Sequence, residues 1–380
     1  MNKKVFAFLL ALAMVFCLSA CGKESEVSGD VPQFEGLKYE ETVETEYATE
    51  FVIYRYEGGY SYITINNGDN IMVVPEGGKT PSGLAKDVVV LKQPLKHIYL
   101  PATAVMAHFN AMDALDMVAF SGLEQGEWST EEANKAMADG KIVYAGHYSA
   151  PDYEVLLGGG CDLAIESTMI YHTPEVKEKL EELGIPVIVE RSTYESHPLA
   201  RTEWVKLFAE IAGKAEAAEA AFNEQSAKVK GLGEQPNTGK KVAFFYVNSR
   251  GNVVTYAGDG YIPAMIELAG GVYALKDLEA DSNLSSVNMS MEDFYARAHD
   301  ADVIIYNSSI AGEIYTMDQF YDLSNVLSTF KAAKDGNVWC TSKSMYQEVD
   351  KMGSIIEDLN RIITGTAESG ESLNYIHKLK

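Results

Sequence analysis

The chain has 380 residues and a formal net charge of −24, with 55 acidic against 31 basic side chains. So acidic a surface repels phosphate backbones and anionic headgroups, which excludes nucleic-acid binding and anionic-lipid binding by the folded body. The length exceeds what one hydrophobic core usually serves, so two domains are expected. The four cysteines and seven histidines show no zinc-type spacing, which sets aside a structural zinc module.

The first predicted element is an export signal over residues 1–20. Lys3 and Lys4 precede an uncharged apolar run from Val5 to Leu18, which is shorter than the roughly 20 residues a membrane span needs. Leu18-Ser19-Ala20-Cys21-Gly22 resembles the bacterial lipobox, which implies acylation of Cys21 and an anchor of two or more chains in the membrane. Residues 21–40 start polar and read as a flexible tether. Removing residues 1–20, whose only charges are Lys3 and Lys4, leaves the remainder more acidic still. Of its cysteines, Cys161 and Cys340 lie in different halves and read as two buried thiols rather than a disulfide.

Residues 47–75 alternate apolar and polar around Gly58-Gly59 and Asn67-Gly68, the pattern of a small β-meander with a hairpin signal. From Val88-Val89-Val90-Leu91 onward, short apolar runs alternate with helical periodicity. Strands are expected at Ile98–Leu100, Met117–Phe120, Ile142–Tyr144, Asp162–Ile165 and Ile185–Val189, with helices at 103–114 and 173–183. Such alternation predicts an α/β domain with a mainly parallel sheet. Residues 201–213 predict one helix closed by Gly213. Residues 214–231, rich in Ala and Glu, predict a stiff helix of roughly 25 Å, long enough to join two domains. Alternation resumes with strands at Val242–Val247, Val253–Tyr256, Val303–Tyr306 and Asn337–Cys340, and helices at 262–268, 291–298, 317–332 and 350–363. The fold class expected is α/β: two Rossmann-like lobes with mainly parallel sheets, 41–213 and 238–380, joined by one long connector helix, plus the N-terminal β-meander.

Several phrases then carry a family resemblance. Ala150 to Leu157 followed by Cys161 to Ile165, Leu180 to Val189 with its Gly184-Ile185-Pro186 step, the start of the helix at Gly213-Lys214, Ile266 to Val272, and Met289 to Ile305 together resemble the periplasmic binding proteins with a single helical connector. That class serves ABC importers of iron–siderophores, haem and cobalamin. The departures are Cys161 in place of proline, Asp152 where asparagine is common, and the added meander. The resemblance implies a monomeric, non-enzymatic solute-binding protein. It would hold a small-molecule metal chelate in a cleft between lobes, without a cofactor of its own, and deliver it to a permease and ATPase complex.

Ligands of open α/β sheets bind beyond the carboxyl ends of the strands, so the post-strand loops supply the candidate cleft residues. These are Tyr148, Tyr171, His172, Arg191 and Tyr194 in the first lobe, and Arg250, Tyr256, Tyr261, Tyr315 and Tyr346 in the second. Tyrosine combines an apolar face with an orienting hydroxyl, while Arg191 and Arg250, read as occupying corresponding strand ends, could grip anionic groups. The resemblance further implies a permease-docking glutamate on each lobe, Glu175 and Glu313. Against an enzyme on this scaffold, the chain lacks a nucleophile elbow, a phosphate-cradling glycine loop and a His-Glu-x-x-His pair. A zinc- or manganese-binding receptor and a surface lipoprotein that binds a peptide or protein stay open as alternatives.

Overall fold

Strand β1 (Tyr39–Thr42) starts inside the stretch read as tether and opens a five-stranded sheet with β2 (Phe51–Tyr56), β3 (Tyr60–Ile65), β4 (Asn70–Val74) and β5 (Val88–Lys92), in sequence order. This computed structural model describes residues 31–233, 236–280, 286–367 and 373–380. The export signal and Cys21 lie outside the described residues. The β3–β4 hairpin turns where Asn67-Gly68 signalled it, with Asn67 at φ 49°, a left-handed conformation that Asn tolerates. Phe51, Ile53, Ile63, Ile65, Ile71, Val73 and Leu91 turn one face of this sheet into the core. The run Val88 to Leu91, expected to begin the α/β sheet, pairs in parallel with β4. A short apolar run declares a buried strand but not which neighbour it joins.

The α/β alternation follows as β6 (Ile98–Leu100), α1 (Thr103–Ala111), β7 (Val118–Ser121), α2 (Glu131–Ala138), β8 (Val143–Tyr144), a hairpin of β9 (Gly146–His147) and β10 (Ala150–Pro151), α3 (Tyr153–Gly158), β11 (Leu163–Ser167), α4 (Pro174–Glu182) and β12 (Val187–Glu190). Its sheet runs β12-β11-β6-β7-β8 with every pair parallel. Both faces are covered, as parallel sheets require. Ile98, Leu163, Ile165 and Ile188 face the main core, while Tyr99, Ala164, Val187 and Val189 face a second cluster under α3 and α4.

The segment expected as one helix starts earlier and bends at Trp204, giving α5 (Pro198–Glu203) and α6 (Val205–Ala212). Gly213, at φ 67°, closes α6 and turns the chain into α7 (Ala215–Leu232). The second half comprises β13 (Lys241–Val247), β14 (Val253–Tyr256), α8 (Tyr261–Leu268), β15 (Val272–Tyr273), β16 (Ser286–Met289), α9 (Met291–Ala298), β17 (Val303–Tyr306), α10 (Ser308–Ala311), α11 (Met317–Leu323), α12 (Lys331–Lys334), β18 (Val338–Thr341), α13 (Met352–Thr364) and β19 (Ile376–Lys378). Its order is β16-β14-β13-β17-β18-β19 with β15 beside β13. Strands β13, β15, β17 and β18 are parallel, while β14, β16 and β19 add antiparallel edges. The helix expected over 317–332 is broken at Ser324, whose backbone is extended at φ −169°, ψ 131°.

Helix α7 packs between α6 of the first half and α13 of the second. Contact with α13 is close at Gly353, where a Cβ would lie 2.4 Å from the Gln225 carbonyl oxygen. One hydrophobic cluster runs from the meander through both halves, and Phe34–Lys380 forms a single unit. Three carboxylates fasten the meander to the helices before α7. Glu203, fully buried, accepts the backbone N–H groups of Glu46, Tyr47 and Ala48 at 2.7, 2.8 and 2.9 Å. Glu195 accepts those of Thr49 and Glu50 and the indole N–H of Trp204. Glu210 accepts Arg55 and the Ser61 hydroxyl. The end of α5 is thereby tied through Glu203 to the loop between β1 and β2.

Candidate functional site

The two halves meet where α5 packs against α8 and the turn over 349–351. The hydroxyl of Thr202 on α5 donates to the Val349 carbonyl at 2.8 Å. At the rim, Gln347 accepts the Ser129 N–H at 2.9 Å and donates to the Glu127 carbonyl at 3.0 Å. Next to Thr202, Arg201 reaches across from α5 and lays its guanidinium 4.6 Å from the ring centroid of Tyr261, the first residue of α8. The Tyr261 ring meets Tyr256 edge-on at 6.0 Å. Tyr256 and Tyr346 share a hydrogen bond between their hydroxyls.

The backbone fixes this group from below. Tyr256 ends β14, and its N–H and carbonyl both bond the Tyr273 hydroxyl. Asn307, fully buried just after β17, accepts Ser309 with its side-chain oxygen and directs its amide Nδ2 toward the Tyr256 hydroxyl at 3.5 Å. Burial holds the phenols of Tyr256 and Tyr346 well above their ordinary range, with the charge of Arg201 opposing it in part. They are therefore neutral donors at physiological pH.

Arg201 is only 2 % exposed. Its Nε has no partner, and the side chain forms no hydrogen bond or ion pair with any described residue. His108 on α1 lies close enough to feel it: burial, and then the Arg201 charge, push that imidazole down to about 3.

A second group gathers at the end of β12. The guanidinium of Arg191 lies 4.2 Å from the Tyr194 ring centroid and its Nη1 donates to the Tyr171 hydroxyl at 3.4 Å. Gly68 of the meander backs it closely, since a Cβ there would come within 3.0 Å of Arg191 Cδ. Tyr171 and Tyr194 expose nearly half of their surface. Arg191 and Arg250 do not occupy corresponding places, because β12 is an edge strand and β13 lies inside its sheet. Arg250 stands exposed in the turn before β14, its N–H held by Asn248.

The other candidates are dispersed. Tyr148 is half-buried against the His147 ring at 4.2 Å, and His172 is exposed at the end of a 3-10 turn. Tyr315 stacks on His377 at 4.8 Å and donates to Glu313. Glu313 also accepts the Lys343 N–H. Burial works against its ionisation, but these hydrogen bonds prevail and hold its carboxyl below the usual range. Glu175 stands exposed in the first turn of α4. Cys161 and Cys340 are unpaired thiols, pushed up by burial to about 12 and about 11. Among the described residues no three His, Cys, Asp or Glu side chains are grouped to hold a metal ion, and no helix is long and apolar enough to cross a membrane.

Arg201 was not among the sequence candidates, and Asn307, which opens a post-strand loop expected to line the cleft, was not singled out. The signal for Arg201 was available: a lone arginine flanked by Leu199-Ala200 and Trp204-Val205 is poorly placed for a solvated helix face. Asn307 follows the wholly apolar Val303 to Ile305, where a polar residue must find partners.

Residues 103–344 match the periplasmic binding protein family, and the chain belongs to it. An uncharacterized lipoprotein of Methanocaldococcus jannaschii, MJ0878, is 27 % identical over 333 residues, covering 84 % of this chain and 76 % of the relative. Among solved structures, a periplasmic binding protein from Veillonella parvula superposes with a TM-score of 0.58 at 17 % identity, covering 71 % of this chain and 91 % of its own. The periplasmic heme-binding protein HutB of Vibrio cholerae gives 0.55 at 17 %, covering 71 % and 98 %. An ABC-type Fe3+-hydroxamate transport protein from Saccharomonospora viridis gives 0.55 at 18 %, covering 72 % and 94 %. The family and these neighbours are solute-binding proteins, not enzymes.

Proposed function

We propose that this chain is the extracytoplasmic solute-binding component of an ABC importer. It captures a metal chelate, an iron–siderophore or corrinoid ahead of haem, in the cleft where α5 faces α8 and the loop after β18. The observation that carries this reading is the contact of Arg201 with Tyr261, which brings polar and aromatic groups from both halves to one point between them. Three tyrosines there, Tyr256, Tyr261 and Tyr346, offer aromatic faces with hydroxyls, which suits a large semi-polar ligand. Arg191, Tyr171 and Tyr194 form a separate group at the end of β12 that stays a candidate for ligand contact, as do Tyr148, His172, Arg250 and Tyr315. The likeness to a heme-binding protein and to an Fe3+-hydroxamate transport protein supports the chelate class.

Lipid on Cys21 would hold the protein at the outer face of the membrane, and the named lipoprotein relative supports this. Glu175 is free to meet a permease arginine. Glu313 would have to exchange Tyr315 and Lys343 for one. The protein acts as a monomer, and its partner is the permease and ATPase complex.

The test is a thermal-shift screen of the purified protein with ferric hydroxamate, corrinoid, haem, zinc and manganese salts, and a peptide library. A ligand at a hundred times its Kd adds about 2.7 kcal/mol of stability, and one chelate class is expected to raise Tm accordingly. A shift with peptide or a bare divalent cation, and none with any chelate, would reject the reading.

A further inference from the structure

We infer that Asp69, at the tip of the β3–β4 hairpin, is a positioning residue for the solute. It fixes the end of β12 so that Arg191 and Tyr194, together with Tyr171, stand ready to meet the ligand, which rests on the solute-binding reading above and gives the meander a part in recognition. The family match begins at residue 103, so the hairpin lies outside the shared portion and is particular to this chain.

Strand β12 is an edge of its sheet, and an edge strand carries N–H groups that no neighbouring strand receives. The Val189 N–H finds a side chain instead. It donates to Asp69 Oδ2 at 2.8 Å, while Oδ1 of the same carboxylate accepts Lys177 Nζ of α4 at 3.1 Å. One carboxylate, 15 % exposed, therefore joins hairpin, edge strand and helix through hydrogen bonds of the stronger, charge-assisted kind. The tip that carries it is itself fixed. Asn67 takes the left-handed conformation at φ 49°, the Gly68 N–H donates to the Ile65 carbonyl at 3.0 Å, and the Ile65 N–H donates to the Asp69 carbonyl at 3.1 Å.

Just beyond Val189 stands Arg191, and the same tip walls in its stem. A Cβ on Gly68 would meet Arg191 Cδ at 3.0 Å and Ile65 Cγ2 at 2.8 Å, so a glycine leaves the room that the arginine occupies. Further along, Glu195 accepts the N–H groups of Thr49 and Glu50 at the entry to β2. Glu50 also feels the Arg191 charge, which opposes the upward push of burial and of Glu195 on its carboxyl. The segment from Val189 to Glu195 is thus fastened to the meander at both ends. What it presents is open: Tyr194 and Tyr171 leave nearly half of their surface uncovered, and the Arg191 guanidinium sits against the ring of one and the hydroxyl of the other. Side chains fixed in place beforehand lose less freedom when a ligand arrives, and the affinity is higher for it.

The test titrates the full chain with ferrioxamine, cyanocobalamin and haemin by calorimetry, and repeats this with Asp69→Ala, Asp69→Asn, Tyr194→Ala and the Asp69→Ala/Tyr194→Ala double variant. Hydrogen exchange over residues 189–195 is measured alongside. One chelate is expected to bind the wild type, and Asp69→Ala to weaken it about tenfold while exchange over 189–195 speeds up. Asp69→Asn keeps an acceptor for the Val189 N–H and is expected to lose less. Tyr194→Ala weakens binding too, and in its background Asp69→Ala has a much smaller effect, because Asp69 acts through that segment. The same cycle run with Asp69→Asn serves if the alanine variant does not fold. Faster exchange with unchanged affinity would mean that Asp69 only covers a sheet edge, and fully additive losses that it supports the fold in general. Either result overturns the inference and leaves the chelate-importer reading standing. If no chelate binds the wild type, both fall.

Discussion

Arg201 and Tyr261 come from opposite halves of the chain, separated by the whole of α7, and the guanidinium of one lies 4.6 Å from the ring centroid of the other. The contact joins the two halves at the proposed cleft. Replacing the ring by an aliphatic side chain of similar reach, Tyr261→Leu, removes a cation–π contact of about 1 kcal/mol while keeping most of the packing. Urea unfolding is expected to show that loss, and ligand titration a several-fold weaker affinity. An unchanged midpoint with unchanged affinity would remove Tyr261 from the site.

The meander depends on carboxylates rather than on apolar contact alone. Glu203→Ala leaves the N–H groups of Glu46, Tyr47 and Ala48 without acceptors, that of Ala48 in a buried place and the other two in partly buried ones. A buried group of this kind costs roughly 1–3 kcal/mol, and water can reach the other two, so a loss of about 1–3 kcal/mol is expected in urea. Limited proteolysis should then cut within 43–50, where the wild type resists.

Glu166 on β11 is fully buried, both of its oxygens lack partners, and burial raises its carboxyl to about 8 from an ordinary 4.5. The folded protein therefore keeps this proton between those values while the unfolded chain releases it. Stability from this group is complete below pH about 4.5 and is lost as pH rises through about 8. Glu166→Gln abolishes that slope. The variant should match the wild type at pH 4 and exceed it by roughly 3 kcal/mol at pH 7. Denaturant melts across pH 4–8 measure the difference, and parallel curves would contradict it.

Close packing of α7 on α13 has its own test. Gly353→Ala places a methyl 2.4 Å from the Gln225 carbonyl oxygen, and because that oxygen is backbone the helices must separate. Overpacking of this kind costs about 1–3 kcal/mol. Tm should fall while ligand affinity holds, since Gly353 lies on the connector side and not among the cleft groups.

The sequence by itself determined what is local or periodic. The alternation of apolar runs and helical stretches announced two α/β halves. Asn67-Gly68 marked the hairpin, Gly213 the end of α6, and the Ala- and Glu-rich run the helix α7. These signals are legible because turn chemistry, capping and amphipathic period act over a few residues, and their cause sits beside them in the chain. Ser324 shows the limit even there: the period continues through 317–332, but an extended residue breaks the helix.

Only the tertiary structure decided allegiance and compensation. Val88 to Leu91 is plainly a strand, yet joining β4 rather than β6 is a matter of which edge stands open. Arg191 and Arg250 follow similar strands in sequence, but one strand is an edge and the other an interior member. Of the many tyrosines, Tyr256, Tyr261 and Tyr346 meet, while Tyr148 and Tyr315 turn to neighbouring histidines. Arg201 looks like any helical arginine until Glu195 and Glu203 are seen to be occupied elsewhere. Whether a buried charge is balanced depends on what lies within a few ångströms of it in space, and for Arg201 those neighbours, such as Tyr261 and His108, come from distant segments of the chain.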